Sequence, residues 1–296
     1  MALDGIIEMR KILDRLETAI PGPLVTEWLN NIADPSFGLV DDLVNTFLTS
    51  VQDNDVSKHT VRILRQLNTH IKAKVLPQIL ENKVFPEAMY KYITGTKPEE
   101  VCHDAFLLFT AIYGNENFKD LKDVPSFMRA LFDALEYIQE ENAYTAVVRI
   151  LISSSKESEE LFLELCSTHK NARYFGELLL QLLNKSEGGE TIKCLECLKL
   201  ILESTETQGF FYTNDLKLLC DIVIQNLENL SDFLLKARYF EVLKDIVKSN
   251  GFLPLNHRTE EIKAISEIYA NSDVSEMRSY AEIILDTIKS ITQSTA

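Results

Sequence analysis

Residues 216–227 carry apolar side chains so densely that a helix built from them needs neighbours on at least two sides. Leu216, Leu219, Cys220, Val223 and Leu227 follow the i, i+3, i+4, i+7, i+11 spacing of one helix face. Leu218, Ile222 and Ile224 widen that stripe, leaving Lys217, Asp221, Gln225 and Glu228 as the polar remainder. Such a helix belongs inside a stack of helices rather than on the rim of a sheet. Its start is marked too. Thr213 or Asn214 is placed to cap the first turn, Asp215 suits the positive end of the dipole, and Tyr212 stands where a hydrophobic staple would set the approach angle. By the usual burial ranking, Phe210, Phe211 and Tyr212 are expected to pack.

The rest of the chain repeats this character. Breaks fall at Pro21-Gly22-Pro23, Asp34-Pro35, Gly95 to Pro98, Gly114, Gly188-Gly189, Gly209 and Gly251 to Pro254, and nearly every stretch between them has helical period. No alternating strand is legible, and about fourteen helices of ordinary length account for the sequence. A weak phrase recurs, an apolar helix ending in small polar residues, at 110–113, 150–153, 200–203, 245–248 and 286–289. Its spacing of about 40–50 residues is close to the period of armadillo and HEAT units. The expected fold is therefore all-α: an armadillo/HEAT-like α-solenoid over 96–296, with 1–95 as an atypical N-terminal helical cap on one continuous unit.

Of the 296 residues, 46% are hydrophobic, enough for a substantial core, and ten glycines with eight prolines are too few for a turn-rich β-sandwich. The net charge of −15, from 45 acids against 30 bases, argues against a nucleic-acid partner, which needs concentrated Lys and Arg. Met1 to Glu8 carries acids where a signal peptide would be basic and then apolar, and no run is long enough to span a membrane. Five dispersed cysteines fit a reducing compartment. The expectation is a soluble cytoplasmic chain without membrane insertion.

Enzyme signatures are absent from the sequence: it has no glycine-rich phosphate loop, G-x-S-x-G elbow or H-E-x-x-H. Cys194 and Cys197 form a C-x-x-C, but within a helical pattern and without a second ligand pair, so they read as core residues. His103-Asp104 lacks a nucleophile and reads as helix N-terminal solvation. The pairs Glu99-Glu100, Glu159-Glu160 and Glu260-Glu261 read as helix starts. No catalytic residue, metal or cofactor is implied.

Two surfaces stand out instead. Between Asp55 and Glu81 there is no acid, while Lys58, Arg62, Arg65 and Lys72 fall on one stripe at 100° per residue, and Leu64, Leu67, Ile71 and Val75 occupy a different face. This basic ridge, with Arg62 and Arg65 at its centre, either docks an acidic surface or is simply solvated. In 234–243 the apolar face is Leu235, Tyr239, Val242 and, further on, Ile246, with Lys236 and Phe240 on another side and Arg238 offset from both.

The string FFYTNDLKLLCDIVIQNLENL at 210–230, followed by 236–247 with its Arg238-Tyr239 pair, resembles the leucine-rich region of the WISH/DIP family, the SPIN-type, Nck-interacting proteins with a Src-homology-3 domain and their fungal relatives. The Src-homology-3 domain and proline-rich stretch of the animal forms do not appear, so the chain looks like the compact fungal form. The resemblance implies an armadillo-type array that binds and activates the actin-related protein 2/3 complex without a preformed filament. It would thereby seed linear filaments that prime branched networks, touching filaments only indirectly, at cortical actin patches and in endocytosis. Implied contact residues are Asn214, Asp215, Lys217, Arg238 and Tyr239; Arg62 and Arg65 come from the ridge. The sequence ends without the acidic, Trp-containing tail of Wiskott–Aldrich-type promoters, its one tryptophan being Trp28. Activation is then expected from a folded surface. The alternative is a solenoid scaffold that binds a helix or peptide of a cytoskeletal partner without remodelling it.

Overall fold

The computed structural model describes residue 11, residues 30–31, 33–113, 124–249 and 252, and residues 257–294. Among these residues there are thirteen α-helices, two short 3-10 turns and no strand, so the all-α expectation holds. The chain divides into two compact units, 1–157 and 158–296. The boundary expected between residues 95 and 96 lies inside the first of them. The breaks at Pro21-Gly22-Pro23 and Gly114, residues 1–8 and Trp28 fall outside the described residues.

In the first unit, α1 (Leu39–Thr49), α2 (Asn54–Glu81), α3 (Phe85–Gly95), α4 (His103–Tyr113), α5 (Val124–Ala134) and α6 (Glu141–Ser155) pack in overlapping pairs. Asp34 caps a 3-10 turn, and Gly38, at φ +71°, redirects the chain into α1. α2 does not run straight. Ile71 leaves helical geometry (φ −140°, ψ 47°), and Pro77, a turn and a half later, has no N–H to give to the carbonyl of Ala73. The expected stripe of Lys58, Arg62, Arg65 and Lys72 is therefore interrupted before Lys72.

In the second unit, α7 (Glu159–Thr168), α8 (Ala172–Lys185), α9 (Gly189–Glu203), α10 (Thr213–Asn229), α11 (Phe233–Lys248), α12 (Thr259–Tyr269) and α13 (Ser275–Ser294) follow in order. α11 is the enclosed helix, packed against α9, α10 and α13. That role had been expected of α10. α10 does bury its whole i, i+3, i+4, i+7, i+11 face together with Ile222 and Ile224, but Leu218 is 49% exposed and the helix keeps an open side.

The weak phrase in the sequence has a structural counterpart. Its five copies occur in the C-terminal halves of α4, α6, α9, α11 and α13. α4 packs on α6 in the first unit, and α9, α11 and α13 pack in succession in the second. Within each unit the repeat thus marks helices that stack on one another, which is consistent with an α-solenoid.

Candidate partner-binding surface

The aromatic triplet is split by the fold. Gly209 takes φ +77°, which turns Phe210 and Phe211 inward, 5% and 7% exposed, with their rings edge to face at 4.8 Å. Tyr212 goes the other way and is 60% exposed, so it is not the expected staple. Arg173 of α8 holds this turn. Its Nη1 donates to the Gly209 carbonyl at 2.6 Å, and its guanidinium carbon lies 4.3 Å from the centre of the Tyr212 ring.

Beneath the turn, a Cβ at Gly176 would stand 2.9 Å from Phe210 Cε1. Gly176 is therefore the gap into which the Phe210 ring fits. The variant Gly176→Val is expected to cost about 1–3 kcal/mol by overpacking, read as a lower urea midpoint with helix content unchanged at zero denaturant.

Tyr212 itself, rather than Thr213 or Asn214, is the N-cap residue of α10; the carboxylate of Asp215 reaches back and accepts the Tyr212 N–H at 3.0 Å. Asp215 thus shapes the surface by fixing the turn, a role that side-chain reach from the third helical position permits. Asn214 is exposed and Lys217 half-exposed. Together with Tyr212 and Leu218 they are the signature residues open to a partner.

Arg238 and Tyr239 fare differently. Tyr239 is 2% exposed, so its hydroxyphenyl group is packing, and burial pushes its hydroxyl up to about 12. Arg238 is half-exposed and donates to Glu241 Oε2 at 3.1 Å. Lys199 of α9 donates to the other oxygen of the same carboxylate at 2.5 Å. Burial alone would raise Glu241, yet the bonds and charges of Lys199 and Arg238 prevail and hold it below the usual carboxylate range. One turn on, Lys244 Nζ meets Asp245 at 2.9 Å and Glu203 at 3.5 Å, and lies 5.4 Å from the Tyr280 ring of α13. The sequence reading missed this charged seam. Its signal was present as Arg238, Glu241, Lys244 and Lys248, spaced three or four apart.

Arg62 and Arg65, in the first unit, both face Asp104, at 3.9 and 3.4 Å. Burial pushes the Asp104 carboxyl up while Arg65 and Arg62 pull it down. His103 turns to Glu140 at 3.5 Å, so the two neighbours engage different partners. Cys194 and Cys197 lie buried in α9. Among the described residues no helix is long and apolar enough to cross a membrane.

Residues 127–262 match the family model of the SPIN90/Ldb17 leucine-rich domain. The match runs from α5 into α12 and extends well beyond the signature at 210–247. This match supports assigning the chain to the SPIN90/Ldb17 family. That family is linked to actin regulation. Among solved structures, two engineered proteins from a structural-genomics programme show distant likeness. One has 15% identity over 85% of this chain and 97% of that one, with a TM-score of 0.42. The other has 13% identity over 95% of both chains, with a TM-score of 0.23.

Proposed function

We propose that this chain is a nucleation-promoting factor that binds the actin-related protein 2/3 complex and shifts it to its active arrangement without a preformed filament. It would seed linear filaments that prime branched networks at cortical actin patches during endocytosis. The observation that carries this reading is the SPIN90/Ldb17 leucine-rich domain match over residues 127–262. The chain acts by binding and performs no catalysis. Its folded surface prefers the active state of the complex, and moving that equilibrium from 1:99 to 99:1 takes about 5.5 kcal/mol of differential affinity. A preference of that size calls for a broad armadillo-like face rather than one loop. Tyr212, Asn214, Lys217 and Leu218 supply open contact area on α10 of the second unit; Arg62 and Arg65, on α2 of the first, face Asp104.

The test is assembly of labelled actin with purified complex and this protein, without seeds or any other promoter. A dose-dependent loss of the lag, with mainly unbranched filaments under the microscope, is the expected result. A lag that persists at saturating, folded protein overturns the proposal. Lys217→Glu is a sound surface variant for the same assay. Arg238→Glu is not, because it would set a second acid against Glu241.

A further inference from the structure

A cavity of about 360 Å³ opens where α9 and α11 end beside the signature turn. This volume lies in the range of small-ligand and side-chain pockets. One part of its lining is apolar: Ile201, Phe210, Phe211 and Leu216. The other is rich in acceptors. α9 finishes at Glu203 and α11 at Lys248, so two helix C-termini, the negative ends of their dipoles, meet here. Glu203 and Asp245 add two carboxylates.

Asp245 is the decisive group. It is 5% exposed, it lines the cavity, and while its Oδ1 takes Lys244 at 2.9 Å its Oδ2 has no hydrogen-bond partner. A buried carboxylate oxygen without a protein donor calls for a partner of another kind. Lys244 is already divided among Asp245, Glu203 and the Tyr280 ring. Lys248 is exposed. Of the lining hydroxyls, Thr207 donates to Ile201 O and Ser249 donates to Ile246 O at 2.7 Å, while Ser204 accepts the Glu206 N–H at 3.2 Å. None of these lining donors bonds Asp245 Oδ2, so a donor to that oxygen must come from an occupant.

We infer that this cavity receives an arginine side chain of a partner protein, its alkyl stem along Phe210, Phe211 and Leu216 and its guanidinium shared between Asp245 and Glu203. Arginine fits because its planar fork can serve two carboxylates at once while its face lies on aromatic carbon. A metal ion does not fit, since no group of three His, Cys, Asp or Glu that could hold one occurs among the described residues.

The inference stands apart from the nucleation proposal, and its test contains no actin component. The ¹⁵N-labelled full chain is titrated with Nα-acetyl-arginine methylamide and, in parallel, with the norleucine counterpart and with free arginine. Saturable shifts confined to amides of residues 201–211 and 244–249 are expected with the capped arginine, and none with norleucine. In Asp245→Asn, a near-isosteric variant that removes the charge and replaces one acceptor oxygen with an amide donor, the dissociation constant is expected to rise at least tenfold. Three results would each overturn the inference: no saturation, equal binding of norleucine, or unchanged affinity in the variant. Tighter binding of free arginine than of the capped form would replace a protein side chain with a small metabolite, and so would overturn it as well.

Discussion

Replacing Glu241 by alanine is expected to remove about 2–3 kcal/mol of stability, read as a lower urea midpoint with an unchanged slope. The carboxylate is 7% exposed and receives Lys199 at 2.5 Å and Arg238 at 3.1 Å on separate oxygens. Deleting one member of a buried pair ordinarily costs about 3–5 kcal/mol. Here the two cations are 35% and 51% exposed, so water recovers part of the loss and the lower figure applies. The pH dependence has a definite sign. Glu241 is held below its unfolded value, so its contribution is present above the ordinary glutamate range and is lost as pH falls through the depressed value. Lys199 is held above its ordinary value, chiefly by its bond to Glu241, so its share disappears only as pH rises through that raised value. Between those limits the difference between Glu241→Ala and the parent chain should be flat above about pH 7. Below that it changes as Asp245, which Glu241 helps to raise to about 6, takes up its proton, and a slope above about pH 7 would show that another group dominates.

The same seam explains what could and could not be read from the chain. The buried face of α10 was legible because it depends on one helix only: spacing at 3.6 residues per turn selects Leu216, Leu219, Cys220, Val223 and Leu227, and all five are buried. α11 was read less well because its burial depends on other helices. Glu241 and Asp245 look solvent-facing by type, yet they are enclosed because Lys199, forty-two residues earlier, and the adjacent Lys244 accompany them. Charge pairing across helices has no local period. Tyr212 shows the converse, an aromatic expected to pack and found exposed, because Arg173 from α8 offers its ring a cation. The basic ridge of α2 was read as a straight stripe, and the break at Ile71 had Pro77 as its sole local sign. Periodicity thus placed the helices and their faces. The candidate surface depends on Arg173, Gly176 and Lys199, which lie on other helices and which only tertiary packing brings to it.

Asp245→Asn is expected to do the opposite of Glu241→Ala and raise stability by about 1–2 kcal/mol at pH 7.5. Burial pushes the Asp245 carboxyl up to about 6, with Lys244 pulling it down and Glu203 and Glu241 adding to the rise. In the unfolded chain the same group titrates near 3.9. The folded state therefore holds the proton more tightly, and ionisation above about pH 6 works against the fold. Lifting a carboxyl over that interval sets a ceiling of about 3 kcal/mol on what neutralising it can recover. The ion pair with Lys244, 2.9 Å away, is lost in the variant and takes back part of that. As pH falls from 7 towards 4 the parent chain becomes protonated at Asp245, so the advantage of the variant should shrink and vanish. Chemical denaturation at half-unit steps from pH 4 to 8 checks this, and a stability difference that stays constant, or favours the parent at pH 7.5, would sink it. The two substitutions, one turn apart on α11, should then separate two uses of a buried acid. Glu241 is satisfied on both oxygens and holds α9 to α11. Asp245 is satisfied on one, costs the fold stability at neutral pH, and is better explained by what enters the cavity beside it than by what it gives the fold.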